Sequence, residues 1–159
     1  MNYNEPAQPP EPTESQVRQF RELMTRLHQC CQERSRYQSE RFGLPEAELR
    51  CLLHFTEEKY LTPKGLARRL NVAKSRVTRL VEGLLDRKMI QRLKDPSDAR
   101  VVLLTLTPAG RKKCRAIDDF VRLIHRETLT KLSPTQIGAL LASLKLLESS
   151  LESVKDLMT

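Results

Sequence analysis

The stretch whose reading decides the fold runs from Asp95 to Gly110: Asp-Pro-Ser-Asp-Ala-Arg-Val-Val-Leu-Leu-Thr-Leu-Thr-Pro-Ala-Gly. Asp95-Pro96-Ser97-Asp98 is turn chemistry, because Asp and Ser side chains bond nearby backbone amides and Pro presets φ. Val101 to Leu106 is β-branched and apolar, as a strand should be. Thr107-Pro108 then supplies an N-cap and a proline at the first helical position. Ile90 to Leu93, just upstream, is the apolar partner with which Val101 to Leu106 forms a hairpin, and Arg100 falls in the connecting turn.

Working back from that hairpin, Thr62 caps and Pro63 opens a helix with Leu66, Ala67 and Leu70 on its inner face. Asn71-Val72 makes a turn. The spacing predicts a second helix over Ala73 to Lys88, with Val77, Leu80, Val81, Leu84 and Leu85 as one buried stripe. Ala73 is a poor N-cap, so the start of this helix is the least secured. Lys74, Ser75, Arg76, Thr78 and Arg79 fall outside the stripe near its N-terminal end. Two helices joined by a tight turn and followed by a hairpin carrying an arginine make a winged helix–turn–helix, which points to DNA.

The flanks complete a mainly α fold with one small β-hairpin wing. Residues 1–13 hold four prolines and almost no apolar anchors, and read as a disordered tail. A first helix is expected from Glu14 to Ser39, with Val17, Phe20, Met24, Leu27 and Cys31 at helical spacing, broken by Gly43-Leu44-Pro45. A second is expected from Pro45 to Phe55, placing Leu49, Leu52 and Leu53 inward. Beyond the wing, one helix runs from Pro108 to Thr130, basic at first and then apolar at Ile117, Phe120, Val121 and Ile124. Ser133-Pro134 opens the last, whose apolar face is Ile137, Leu140, Leu141, Leu144, Leu147, Leu151 and Val154. The expected organisation is a tail over 1–13, an N-terminal dimerisation helix over 14–43, the DNA-binding domain over 44–110 and C-terminal dimerisation helices over 111–159. The terminal helices carry more apolar surface than a small winged-helix core covers, and a homodimer is the simplest way to cover it.

Charge placement supports the same reading. The chain of 159 residues carries a net +8. Tyr60 to Arg115 holds 15 Lys/Arg against 4 Asp/Glu, whereas the rest holds 13 against 16. The basic excess therefore belongs to the winged-helix segment, as expected of a phosphate-binding surface. No apolar run approaches the ~18 residues of a membrane span. The N-terminus has neither the basic start nor the apolar stretch of a signal peptide, so a cytoplasmic, nucleoid-associated protein is expected. No catalytic constellation or phosphate-cradling glycine loop is present, and neither enzyme activity nor a cofactor is expected.

The residues resemble the MarR family of bacterial transcription regulators. The resemblance rests on Asp95…Asp98-Ala99-Arg100, then Leu103…Leu106-Thr107…Gly110, and on the helix pair Leu66-Ala67…Leu70…Ser75…Val77-Thr78-Arg79-Leu80-Val81. It implies a dimeric repressor on a pseudopalindromic operator in double-stranded DNA, with each second helix in a major groove and each wing arginine in the adjacent minor groove. By position, Ser75, Arg76, Thr78 and Arg79 contact bases or nearby phosphates, Arg100 is the wing-tip residue, and Asp98 holds that arginine in place. Lys64, Lys74, Arg92 and Lys94 would then contact phosphates. The resemblance also implies a small aromatic or phenolic effector between the dimer helices and the reader, with His28, Arg50 and His54 as nominated neighbours.

Two alternatives share the fold. One is a thiol-based redox regulator acting through Cys30 or Cys31. Adjacent helical residues point about 100° apart, so one of these thiols is expected inside and the other outside. The other is a winged-helix scaffold that binds protein rather than DNA. His28, His54 and His125 lie at no metal-ligand spacing, so no metal site is expected.

Overall fold

The computed structural model describes residues 11–98 and 100–158. It comprises α1 (Glu14–Phe42), α2 (Glu46–Leu53), a 3-10 turn at His54–Thr56, α3 (Pro63–Leu70), α4 (Lys74–Asp86), β1 (Ile90–Lys94), β2 (Val102–Leu106), α5 (Pro108–Leu129), α6 (Pro134–Ser153) and a 3-10 turn at Lys155–Met158. Of the tail expected over 1–13, residues 1–10 lie outside the described residues, and Thr13 already caps α1.

The helix starts follow from local chemistry. Thr13 and Ser133 form capping boxes with Gln16 and Gln136, and the Thr62 and Thr107 hydroxyls accept from the Gly65 and Gly110 amides. Pro63, Pro108 and Pro134 occupy first-turn positions, where no amide is missed. Three helix ends close alike: a residue two or three beyond the helix bonds back across the last turn, Leu44 to Ser39, Val72 to Ala67 and Met89 to Leu84. The residue before each is left-handed, at Gly43, Asn71 and Lys88.

Boundaries differ modestly from expectation. α1 runs to Phe42 rather than Ser39, because Gly43 supplies the left-handed residue that ends it. α2 stops at Leu53 rather than Phe55, because its last turn tightens into the 3-10 geometry of His54–Thr56. The strands pair antiparallel, Ile90 opposite Leu106 through Lys94 opposite Val102. Leu61 adds a bridge on the far side of β2, exchanging backbone bonds of 3.0 and 2.8 Å with Leu104. The buried Thr105 hydroxyl donates to the Lys59 carbonyl at 2.8 Å. The hairpin is thereby tied to the segment that leads into α3.

The core lies beneath the helix–turn–helix. Leu49, Leu52 and Phe55, Leu66, Val77, Val81 and Leu84, Ile90 and Leu104, and Ile117 of α5 pack there as one buried cluster. Each fully buried Leu or Ile contributes roughly 1.5–3 kcal/mol. Cys51 and Cys114 belong to it as small apolar groups, and burial pushes their thiols up to about 12 and about 11.

The terminal helices differ. In α1 only Gln38 is buried, and Val17, Phe20 and Leu27 remain 48%, 46% and 56% exposed. α6 buries none of its residues, leaving Leu140, Leu141, Leu144 and Leu151 in the open. Among the described residues most of these two apolar stripes, legible in the sequence, therefore stays uncovered.

Two glycines give opposite expectations. A Cβ at Gly110 would lie 1.9 Å from the Met89 carbonyl oxygen, whereas one at Gly138 meets nothing within 4 Å. Gly110→Ala should destabilise the fold by about 2 kcal/mol or more. Gly138→Ala, in an open helical position, should stabilise it by roughly 0.5–1 kcal/mol. Urea unfolding of both variants checks this, and equal shifts would contradict the close packing of α5 against Met89.

Candidate nucleic-acid interface

The reader is built from the inside. Val77, Val81 and Leu84 are the buried residues of α4. At about 100° per residue they set Ser75, Arg79 and Glu82 on the opposite, outward side. Lys74 and Thr78 lie on one flank, and Arg76, Leu80, Gly83 and Arg87 on the other. Lys64, Lys74, Ser75, Arg76, Thr78 and Arg79 are all exposed. The Thr78 hydroxyl donates to the Lys74 carbonyl at 3.1 Å, so toward a ligand it offers lone pairs. As expected, Ala73 gives no side-chain cap.

The second flank of α4 meets α2. Glu48 of α2 accepts from the Arg87 guanidinium at 2.9 Å, and its carboxylate lies against Gly83, where a Cβ would stand 2.4 Å from Oε1. Its side chain is only 14% exposed. This contact sets the reader's pitch against the helix behind it. At the other end of the same seam, Arg50 of α2 and Arg76 of α4 line one groove with Ala47, Leu70, Val72 and Leu80.

The wing projects beyond the core: in β1 only Ile90 is buried, leaving Arg92 and Lys94 exposed. Its turn is tied by side chains. The Asp95 carboxylate accepts from the Ser97 amide at 2.8 Å, and the Asp98 carboxylate accepts from the Arg100 amide at 3.0 Å. Asp98 also takes the Arg100 guanidinium on both oxygens, Nε at 3.1 Å and Nη2 at 3.3 Å. The Arg100 side chain is nevertheless 91% exposed. One edge of the guanidinium is held and the rest faces outward. Hydrogen bonds from the Arg100 side chain, then from its backbone amide, hold the Asp98 carboxyl below the usual carboxylate range.

The other nominated residues are not drawn into one place. The His28 ring bonds Gln32 in its own helix, Arg50 lies in the groove beside Arg76, and His54 caps the end of α2. His125 bonds Arg34 across α1 and α5. Among the described residues no group of three or more His, Cys, Asp or Glu is placed to hold a metal ion. Cys30 and Cys31 are both exposed, against the expectation that one would turn inward: among the described residues no element covers either thiol.

Sequence reasoning missed a cleft of about 480 Å³ between the end of α2, β2 and the start of α5, lined by Leu53, Phe55, Leu106, Arg111, Arg115 and Asp118, among others. Its one legible signal is the Arg111, Arg115, Asp118 spacing, which puts three charges on one helix face. Among the described residues no helix is long and apolar enough to cross a membrane.

Comparison with known proteins places this geometry. Residues 42–101 match the family model of the MarR family. Transcriptional regulator AdcR of Streptococcus pneumoniae serotype 2 (strain D39) is 40% identical over 88 residues, 54% of this chain and 60% of AdcR. The chain thus aligns with about 60% of the length of that curated relative. A MarR family protein from Bacillus stearothermophilus superimposes with a TM-score of 0.79 at 19% identity, over 89% of this chain and 99% of the other. A mutant MarR from E. coli, solved with operator DNA, superimposes with a TM-score of 0.61 at 26% identity, over 79% and 92% of the two chains. The matched segment takes in α2, the helix–turn–helix, β1 and the wing turn, and over that segment this chain is similar to the MarR family.

Proposed function

We propose that the protein is a transcription regulator that grips a pseudopalindromic operator as a homodimer, with α4 in the major groove and the wing in the adjacent minor groove. The observation that carries this reading is the coincidence of charge with shape. The segment holding the chain's whole basic excess folds as a reader and a wing whose cations stand exposed. The E. coli relative solved with operator DNA gives it further support. Ser75 and Arg79 face bases, since they stand farthest from the buried stripe. Lys64, Lys74, Arg92 and Lys94 meet phosphates. Arg100, aimed by Asp98, enters the minor groove, whose negative potential draws a guanidinium when the groove is narrow. The uncovered faces of α1 and α6 meet their two-fold copies, which makes 14–43 and 111–159 the dimerisation segments and 44–110 the DNA-binding domain.

A repressor released by a small aromatic acid is consistent with the cleft beside α5. Leu53, Phe55 and Leu106 suit a ring, and Arg111 or Arg115 suits a carboxylate. Of the nominated effector residues, His54 falls in sequence between two residues that line this cleft.

Arg100→Ala should weaken binding strongly with the fold intact, and more on duplexes with A·T-rich flanks than with G·C-rich ones. Lys94→Ala should weaken all duplexes alike and lower the salt slope by about 1 for each phosphate left without its lysine. Fluorescence anisotropy on two duplexes differing only in their flanks checks both. An Arg100→Ala protein that binds like the original would contradict the wing assignment.

The Asp98 shift has a definite sign. A depressed folded-state pKa means that the ionised form is favoured in the wing. Its contribution is therefore complete above the ordinary Asp range and is lost as pH falls through the lowered folded value. Between pH 7 and 5 the aim of Arg100 should not change. In an NMR titration the Asp98 carboxyl should protonate at lower pH in the unsubstituted protein than in Arg100→Ala. Coincident midpoints would show that the pair does not form.

A further inference from the structure

The α2–α4 seam is asymmetric in charge. At its far end the Arg87 guanidinium is matched by Glu48 at 2.9 Å. At its near end, beside the turn that leads into the reader, Arg50 and Arg76 share one groove. Among the described residues neither has a carboxylate within 4.0 Å. Two like charges lining a groove of about 180 Å³ repel each other unless an anion stands between them. Both side chains are exposed, so an anion can reach them from outside. The groove's apolar wall of Ala47, Leu70, Val72 and Leu80 excludes water from one side of such an anion.

We propose that Arg50 and Arg76 close together on one oxyanion, a backbone phosphate of bound DNA. This rests on the DNA-binding reading above. It makes α2 a third element of the interface, beside α4 and the wing, and turns Arg50 from an effector residue into a DNA contact. It also divides the reader's cations by task. Arg79, on the outward side of α4, reads bases, and Arg76, on the flank toward α2, grips the strand. A forked guanidinium suits a phosphate because it donates two parallel bonds. Paired with a second guanidinium across a groove, it fixes the height at which the reader enters the major groove.

The test uses the full chain, Arg50→Gln and Arg50→Lys, with a duplex selected from a random pool by the unsubstituted protein. Affinity is measured from 50 to 200 mM salt. At ~0.1 M salt Arg50→Gln should bind roughly tenfold more weakly for each phosphate it releases, with the slope of log affinity against log salt reduced by about 0.9 per protomer. The weakening should be the same on selected and unselected duplexes, and thermal midpoints should not move. Arg50→Lys, which keeps the charge, should restore most of the slope. An unchanged slope in Arg50→Gln, with the unsubstituted protein binding normally, overturns the clamp and leaves the DNA-binding reading standing. Inorganic phosphate at matched ionic strength is the second arm. If it raises the melting temperature in an Arg50-dependent way while the DNA slope stays unchanged, the groove serves a free anion and the clamp is wrong. If the unsubstituted protein binds no duplex, both readings fall.

Discussion

The architecture hangs on one close approach, that of the first turn of α5 to the backbone at Met89. The Thr107 amide bonds the Met89 carbonyl at 3.0 Å, while its hydroxyl donates to the Lys88 carbonyl at 2.7 Å and accepts from the Gly110 amide at 3.0 Å. Gly110 is tolerated there because any side chain would occupy the Met89 carbonyl. Four elements meet at this point: the end of the reader, the first residue of β1, the last residue of β2 and the start of α5. Leu106, one residue earlier, is buried. The run Leu-Thr-x-x-Gly is thus a set of physical requirements, an apolar anchor, a cap that also crosslinks, and a residue without a Cβ. Through this junction the orientation of the wing is set by the same few bonds that launch the helix leading to the chain's C-terminal half.

A second constraint acts on the other side of the reader. Glu48 is held between Arg87 and the bare backbone of Gly83, so a roll of α4 against α2 breaks an ion pair whose carboxylate is mostly covered and whose guanidinium is half-exposed. Removing Arg87 costs more than removing Glu48, because Glu48 left alone stays partly desolvated whereas Arg87 left alone meets water. The C-terminal end of α4 is therefore held on two sides, by Met89 toward α5 and by Glu48 toward α2. An element that inserts into a groove of fixed width gains from this rigidity, since little ordering is left to be done on binding.

What the sequence made legible was local chemistry. Thr62-Pro63, Thr107-Pro108 and Ser133-Pro134 marked helix starts at the right residues, and the wing turn followed from Asp95 and Asp98, because caps and Asx turns depend on residues two or three apart. Helix ends were less legible: α1 continued to Phe42, and α2 gave way at His54 to a 3-10 turn. The site divided in the same way. Asp98 and Arg100 could be paired by spacing, whereas Glu48 and Arg87 stand 39 residues apart and carry no local signal of their contact. Arg50 and Arg76 are likewise joined by packing alone. For Cys30 and Cys31, helical geometry set the angle between two side chains but not what lay beside the helix.

The central claim is that two copies of α4 and two wings meet one duplex about a two-fold axis. Hydroxyl-radical footprinting on a duplex selected by the protein tests it most directly. The account predicts a symmetric footprint with its two centres about one helical turn apart, ~34–36 Å, flanked on each side by minor-groove protection that disappears in Arg100→Ala. A single asymmetric patch, or even protection along the whole duplex, would contradict it.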